Sequence, residues 1–120
     1  MIEKPRTQSP IFVKTYDFLL WLIPLTLKYP KSQRFLLAEK TSKIALDFYD
    51  LILEGALAQT KDMGFFDNAD LLLNKIRLYL RLSFDLHCLS MSQYEFASKS
   101  LDEIGRLLGG WKSKVQKSLV

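Results

Sequence analysis

Apolar residues in this chain recur three and four positions apart, the period of a helix with one buried face. The clearest run is Leu37, Thr41, Ile44, Phe48, Leu51, Gly55 and Ala58, a core-facing seam within a helix expected over residues 33–59. Ser32 suits its N-cap, and the small residues Gly55, Ala56 and Ala58 would let another helix come close near its end. Ahead of it, residues 10–29 read as a first helix, with Ser9 as N-cap and Pro10 at the first position, where a missing N–H costs nothing. Pro24 should bend this helix, because its ring clashes with the carbonyl four residues earlier. The turn Tyr29-Pro30-Lys31-Ser32 ends it. Lys61-Asp62-Met63-Gly64 forms the next loop, with Gly64 as the expected helix stop. A third helix over residues 67–88 carries Leu72, Ile76, Tyr79, Ser83 and Leu86 on its inner stripe. A fourth follows Ser90 or Ser92, each a capping-box candidate with Gln93 or Glu95 three residues on. Its stripe is Tyr94, Ala97, Leu101, Ile104 and Leu108. Gly109-Gly110 should end it, and Trp111 should fold back onto the other helices.

Four helices joined by loops of a few residues must be antiparallel neighbours, so the expected fold is all-α, an up-down four-helix bundle about 30–40 Å long. The expected division is a loose polar arm at residues 1–9, the bundle at 10–111, and a short basic tail at 112–120. Composition agrees. The 120 residues suit one domain, and 48% apolar content is a globular value. Five glycines and four prolines are too few for an all-β fold, and no proline follows Pro30.

Two helices hold more apolar surface than one stripe needs. The first carries Phe18, Leu19, Leu20, Trp21, Leu22, Ile23, Leu25 and Leu27; the third adds Leu71, Leu72, Leu73, Leu78, Leu80 and Leu82. Such an excess implies an exposed patch or a second contact, and self-association is the expected use.

Little in the chain suggests catalysis. His87 and Cys88 are adjacent, and helix neighbours point about 100° apart, so they do not converge on one ion. No Glu-x-x-His pair for a di-iron site exists, and no glycine-rich loop opens a helix. Asp47, Asp50 and Glu54 share a face, as a solvated surface would have it. No metal, no cofactor and no enzymatic activity are therefore expected. The single cysteine excludes an internal disulfide and suggests a reducing compartment. The most apolar stretch, residues 18–27, is half a membrane span and contains Pro24. Lys4 and Arg6 precede it, but no small-residue cleavage site follows, so neither a signal peptide nor a membrane partner is expected. The cytoplasm is the expected location.

Charge is more informative. The net charge is +4, a bias that permits an anionic partner without demanding one. Antiparallel topology places Lys28, Lys31, Arg34, Lys40 and Lys43 in the same half of the bundle as Arg77 and Arg81. Glu39, Asp85 and Glu95 dilute this half, while Asp50, Glu54, Asp62, Asp67 and Asp70 gather in the other, giving an expected charge dipole along the long axis. A solubilising surface would look the same. The sharper reading is a phosphate-binding surface formed by Lys31, Arg34, Lys40, Lys43, Arg77 and Arg81. Arg77 and Arg81, one turn apart, are its strongest candidates, unless they pair with carboxylates of a neighbouring protomer.

Several motifs then fall in a telling order. They are Trp21; Pro30-Lys31-Ser32-Gln33-Arg34-Phe35; Asn74-Lys75-Ile76-Arg77-Leu78-Tyr79-Leu80-Arg81-Leu82; Leu89-Ser90-Met91-Ser92-Gln93-Tyr94-Glu95; and Glu103-Ile104-Gly105-Arg106-Leu107-Leu108-Gly109-Gly110-Trp111. Together, over residues 12–114, they resemble the Avd family, the accessory variability determinants of diversity-generating retroelements. The last motif is the most specific; the first turn is shared with a broader group that includes bundles encoded in ribosomal RNA intervening sequences. The resemblance implies a basic four-helix bundle without an active site that forms a barrel-like ring, typically of five protomers. It also implies two partners, the element's reverse transcriptase and its template RNA, with which error-prone complementary DNA is made. The alternative is a structural homo-oligomer of the intervening-sequence type with no nucleic-acid role.

Overall fold

The computed structural model describes residues 9–119. Residues 1–8 of the expected arm, and Val120, lie outside the described residues. Among the described residues four helices make up the fold: α1 (Pro10–Thr26), α2 (Lys31–Leu57), α3 (Met63–Asp85) and α4 (Met91–Ser118). Each packs against the next, and α4 returns to α1, which closes a square up-down bundle. The core is continuous from end to end; Leu22, Phe48, Ile52, Phe66, Leu73, Ile76, Leu80, Leu101 and Ile104 are all essentially inaccessible.

The helix ends follow local chemistry, and beside a shifted cap on α2 the structure shows three larger departures from expectation. Ser9 caps α1 with extended backbone, and Pro10 opens the helix. Pro24 sits in the last turn, and the helix ends two residues later at Thr26, whose hydroxyl donates to the Ile23 carbonyl at 2.8 Å. The chain direction then turns through 118° into α2. Pro30, rather than Ser32, is the cap of α2. Ser90 caps α4 with a full capping box: its hydroxyl accepts from the Gln93 N–H at 3.1 Å, while the Gln93 side chain accepts from the Ser90 N–H at 2.8 Å.

The first departure concerns the stop of α2. Gln59, not Gly64, takes the left-handed conformation, with φ 50°, and the Thr60 N–H closes back on the Gly55 carbonyl at 3.0 Å. Gly64 instead lies in the first turn of α3, where its N–H donates to the Asp62 carboxylate at 2.9 Å. His87 ends α3 in the same way, with φ 64° and the Cys88 N–H on the Ser83 carbonyl at 2.8 Å.

The second departure is that Gly109-Gly110 does not end α4. The helix runs on to Ser118, so residues 112–118 of the expected tail are helical. Two glycines inside a helix cost about 1 kcal/mol each relative to alanine. Trp111 offsets this: its ring meets Phe12, Phe65 and Phe66 at centroid distances of 6.4, 5.3 and 5.2 Å. Trp111 thus packs on the bundle as expected, but from a continuing helix.

The third departure is a π-turn at Arg34–Ala38, where the Glu39 N–H reaches the Arg34 carbonyl. One extra residue in the turn rotates everything before it by about 100°. Gln33 is consequently half-buried, and Arg34, Phe35 and Leu36 all face solvent.

Periodicity placed the inner stripes to within about one residue. On α4, Ala97, Leu101, Ile104 and Leu108 are buried as expected. On α2 the seam drifts from Leu51 to Ile52, and Ala58 is exposed. On α3, Ile76 and Ser83 are buried, Leu72 and Tyr79 are half-buried, and Leu86 is exposed; Leu73 and Leu80 hold the core instead. The apolar excess does reach the surface. Val13, Tyr16 and Leu20 on α1, Leu27 just past its end, and Leu71, Leu78 and Leu82 on α3, are exposed. Among the described residues no single helix is long and apolar enough to cross a membrane.

Candidate nucleic-acid interface

The six candidate cations divide into two groups. Arg77 is turned onto α4: its guanidinium donates to Asp102 at 2.7 Å and to the Leu101 carbonyl at 3.2 Å. Arg81 donates to both oxygens of Asp85, one turn along α3, at 3.2 and 3.1 Å. Its pKa is raised, first by the hydrogen bond and charge of Asp85 and then by Tyr94. Lys43 pairs with Asp47 at 3.0 Å along α2. These three cations already have carboxylate partners within their own chain. Of the two arginines expected to bind phosphate, Arg77 ties α3 to α4 and Arg81 braces the end of α3.

Lys31, Arg34 and Lys40 form the second group. All are exposed, and none has a carboxylate partner among the described residues. Arg34 makes one long hydrogen bond, 3.4 Å, to the Tyr29 carbonyl. Lys28, exposed in the α1–α2 turn, joins them. In the stretch 28–43 five basic residues face one acid, Glu39. The N-terminal end of α2 adds partial positive charge at the same place.

Tyr29 anchors this turn. Its side chain is 1% exposed and plugs into the core. The hydroxyl lies beside Ser83 and Cys88 without a full hydrogen bond among the described residues, and Ser83 gives its own proton to the Tyr79 carbonyl at 2.7 Å. Burial raises the Tyr29 pKa; Ser83 opposes the shift and Cys88 adds to it. The basic turn therefore hangs from a rigid pin rather than a loose loop.

The other end of the bundle is mixed rather than acidic. The continuation of α4 brings Lys112, which pairs with Asp67 at 3.6 Å, together with Lys114 and Lys117. This reduces the expected charge dipole. An open cavity of about 690 Å³ lies there, lined by Ile11, Phe12, Ala56, Leu107, Trp111 and Val115. The Cys88 thiol has its pKa raised by burial. Among the described residues no three of His, Cys, Asp and Glu come together as a metal ion would require.

The signal that separates the two cation groups is only partly present in the sequence. Arg81 and Asp85, and Lys43 and Asp47, are visible four-residue pairs. Arg77 and Asp102 are 25 residues apart and meet only in the folded bundle. The exposure of Phe35 and Leu36 comes from the π-turn, which leaves no mark in the apolar period.

A family model described as bAvd-like matches residues 11–115, nearly the whole chain. The chain belongs to the bAvd-like family and is an accessory protein of the Avd type, as its motifs suggested. No curated protein matches it.

Proposed function

We propose that this protein is a non-catalytic accessory subunit of a diversity-generating retroelement, acting in the cytoplasm. It binds the element's reverse transcriptase and holds template RNA and complementary DNA during mutagenic copying. The observation that carries the nucleic-acid part is the group Lys28, Lys31, Arg34 and Lys40, exposed on the α1–α2 turn and the first turns of α2 and without a carboxylate partner among the described residues. Such cations gain most from phosphate, because each contact releases condensed counterions. Contacts of this kind position a strand without reading its bases. Lys43, Arg77 and Arg81 contribute less, since a phosphate would first have to displace a carboxylate.

The protein works as a homo-oligomer, most simply a ring of five. The exposed apolar surfaces of α1 and α3 support association, and family membership supports the number. A ring repeats the basic turn in every protomer, so weak contacts add as avidity.

Two measurements test this reading. The protein should co-purify with the reverse transcriptase encoded beside its gene. It should also bind RNA with an affinity that falls steeply between 50 and 200 mM salt. An assembled protein that does neither is the structural homo-oligomer of the intervening-sequence type. Light scattering that returns a mass near 13.9 kDa at micromolar concentration would remove the ring.

A further inference from the structure

Phe35 sits in the π-turn at the basic start of α2, 81% exposed, and touches no other ring among the described residues. Leu36 beside it is equally exposed. The fold does not need either side chain: the core is filled by Leu37 and Ala38 on the same turn. The π-turn is what turns them outward. An aromatic ring left bare among Lys31, Arg34 and Lys40 has a specific complement, an anion that carries a flat apolar face. Unpaired nucleotides are such anions. A duplex is not, since its bases are stacked on one another and present no free face.

We propose that Phe35 is a stacking platform for an unpaired base, so that the start of α2 selects single-stranded over double-stranded nucleic acid. The inference rests on the nucleic-acid reading above and adds which form of strand is held. In this arrangement Lys31, Arg34 and Lys40 hold the phosphates on either side, and Leu36 lies beside the ring as an apolar ledge. The turn can bear such a contact because buried Tyr29 fixes its position. Stacking tolerates any base, so the site should show little sequence preference.

The test uses the full chain as Phe35→Leu and Phe35→Trp. Leucine keeps an apolar side chain without a π-face; tryptophan keeps the face. Exposure of Phe35 means that both should fold, which circular dichroism checks. Each protein is titrated by fluorescence anisotropy against a twelve-nucleotide single-stranded RNA and a duplex of the same sequence. Single strands carrying 2-aminopurine report stacking directly as quenching. Phe35→Leu should bind the single strand about 5- to 100-fold more weakly, lose the quenching, and bind duplex as before. Phe35→Trp should retain both affinity and quenching. Unchanged single-strand affinity in Phe35→Leu overturns the proposal while leaving the nucleic-acid reading intact. If the unmodified protein binds neither RNA at low salt, that reading falls and takes this one with it. A lower oligomeric mass for Phe35→Leu in light scattering would mean that a second copy covers the ring. Loss of binding to phosphatidylglycerol vesicles with RNA affinity retained would mean that a membrane does. Either result overturns the proposal.

Discussion

Gly55 allows a quantitative test of how the end of the bundle is packed. A Cβ placed there would overlap the Phe65 ring, closest to Cζ and Cε1. The ring has little room to retreat: Phe66 meets it edge-on at 4.9 Å and Trp111 at 5.3 Å. Phe65 is itself buried. Overpacking of this kind costs about 1–3 kcal/mol. Alanine in place of glycine inside a helix returns about 0.5–1 kcal/mol. Gly55→Ala should therefore destabilise by about 1–2 kcal/mol and lower Tm by about 4–10 °C. Chemical denaturation followed by circular dichroism measures it. A double-mutant cycle with Phe65→Leu isolates the cause, because a smaller side chain makes room for the methyl group. The double variant should be more stable than the sum of the two single effects by about 1 kcal/mol. If Gly55→Ala is more stable than the parent, the ring swings aside into the neighbouring cavity at little cost. The contact between α2 and α3 is then not tight in the sense argued here.

Further outcomes follow from the two cation groups and the helix ends. Lys31→Gln, Arg34→Gln and Lys40→Gln together should reduce the slope of log affinity against log salt for single-stranded RNA by about 2, at about 0.7 per cation. Arg77→Gln should leave that slope nearly unchanged and cost about 0.5–1 kcal/mol of stability, since its ion pair is more than a third open to solvent; urea titration reads the second effect. Gln59→Gly and His87→Gly should each stabilise by about 0.5–1 kcal/mol, because glycine takes positive φ without strain. Tyr29→Phe should be neutral or stabilising at pH 7, as it removes a buried hydroxyl without a full partner. A raised Tyr29 pKa means stability that is complete below about pH 10 and lost as pH rises through the folded-state value. Tyr29→Phe should therefore lose less stability than the parent between pH 9 and 11 in urea titrations.

The four helices, their antiparallel order and most of the inner stripes were legible because helix periodicity and capping are local. Ser9-Pro10 and Ser90 to Gln93 act within one turn, so reading the chain in order is enough to find them. The family was legible for a related reason: its motifs are short runs such as the one from Glu103 to Trp111. Other features depend on groups far apart in the chain. Antiparallel order puts Arg77 in the basic half of the bundle, but nothing local marks Asp102 as its partner, which reaches it only when α3 lies against α4. Gly109-Gly110 looked like a stop because glycine disfavours helix. The rings of Phe12, Phe65 and Phe66, from two other helices, outweigh that local preference by holding Trp111. The π-turn belongs to the same class. It reconciles the entry of the chain, pinned by buried Tyr29, with the core register that begins at Leu37, and two constraints set by different neighbours leave one residue over. That surplus residue turns Arg34 and Phe35 to the solvent.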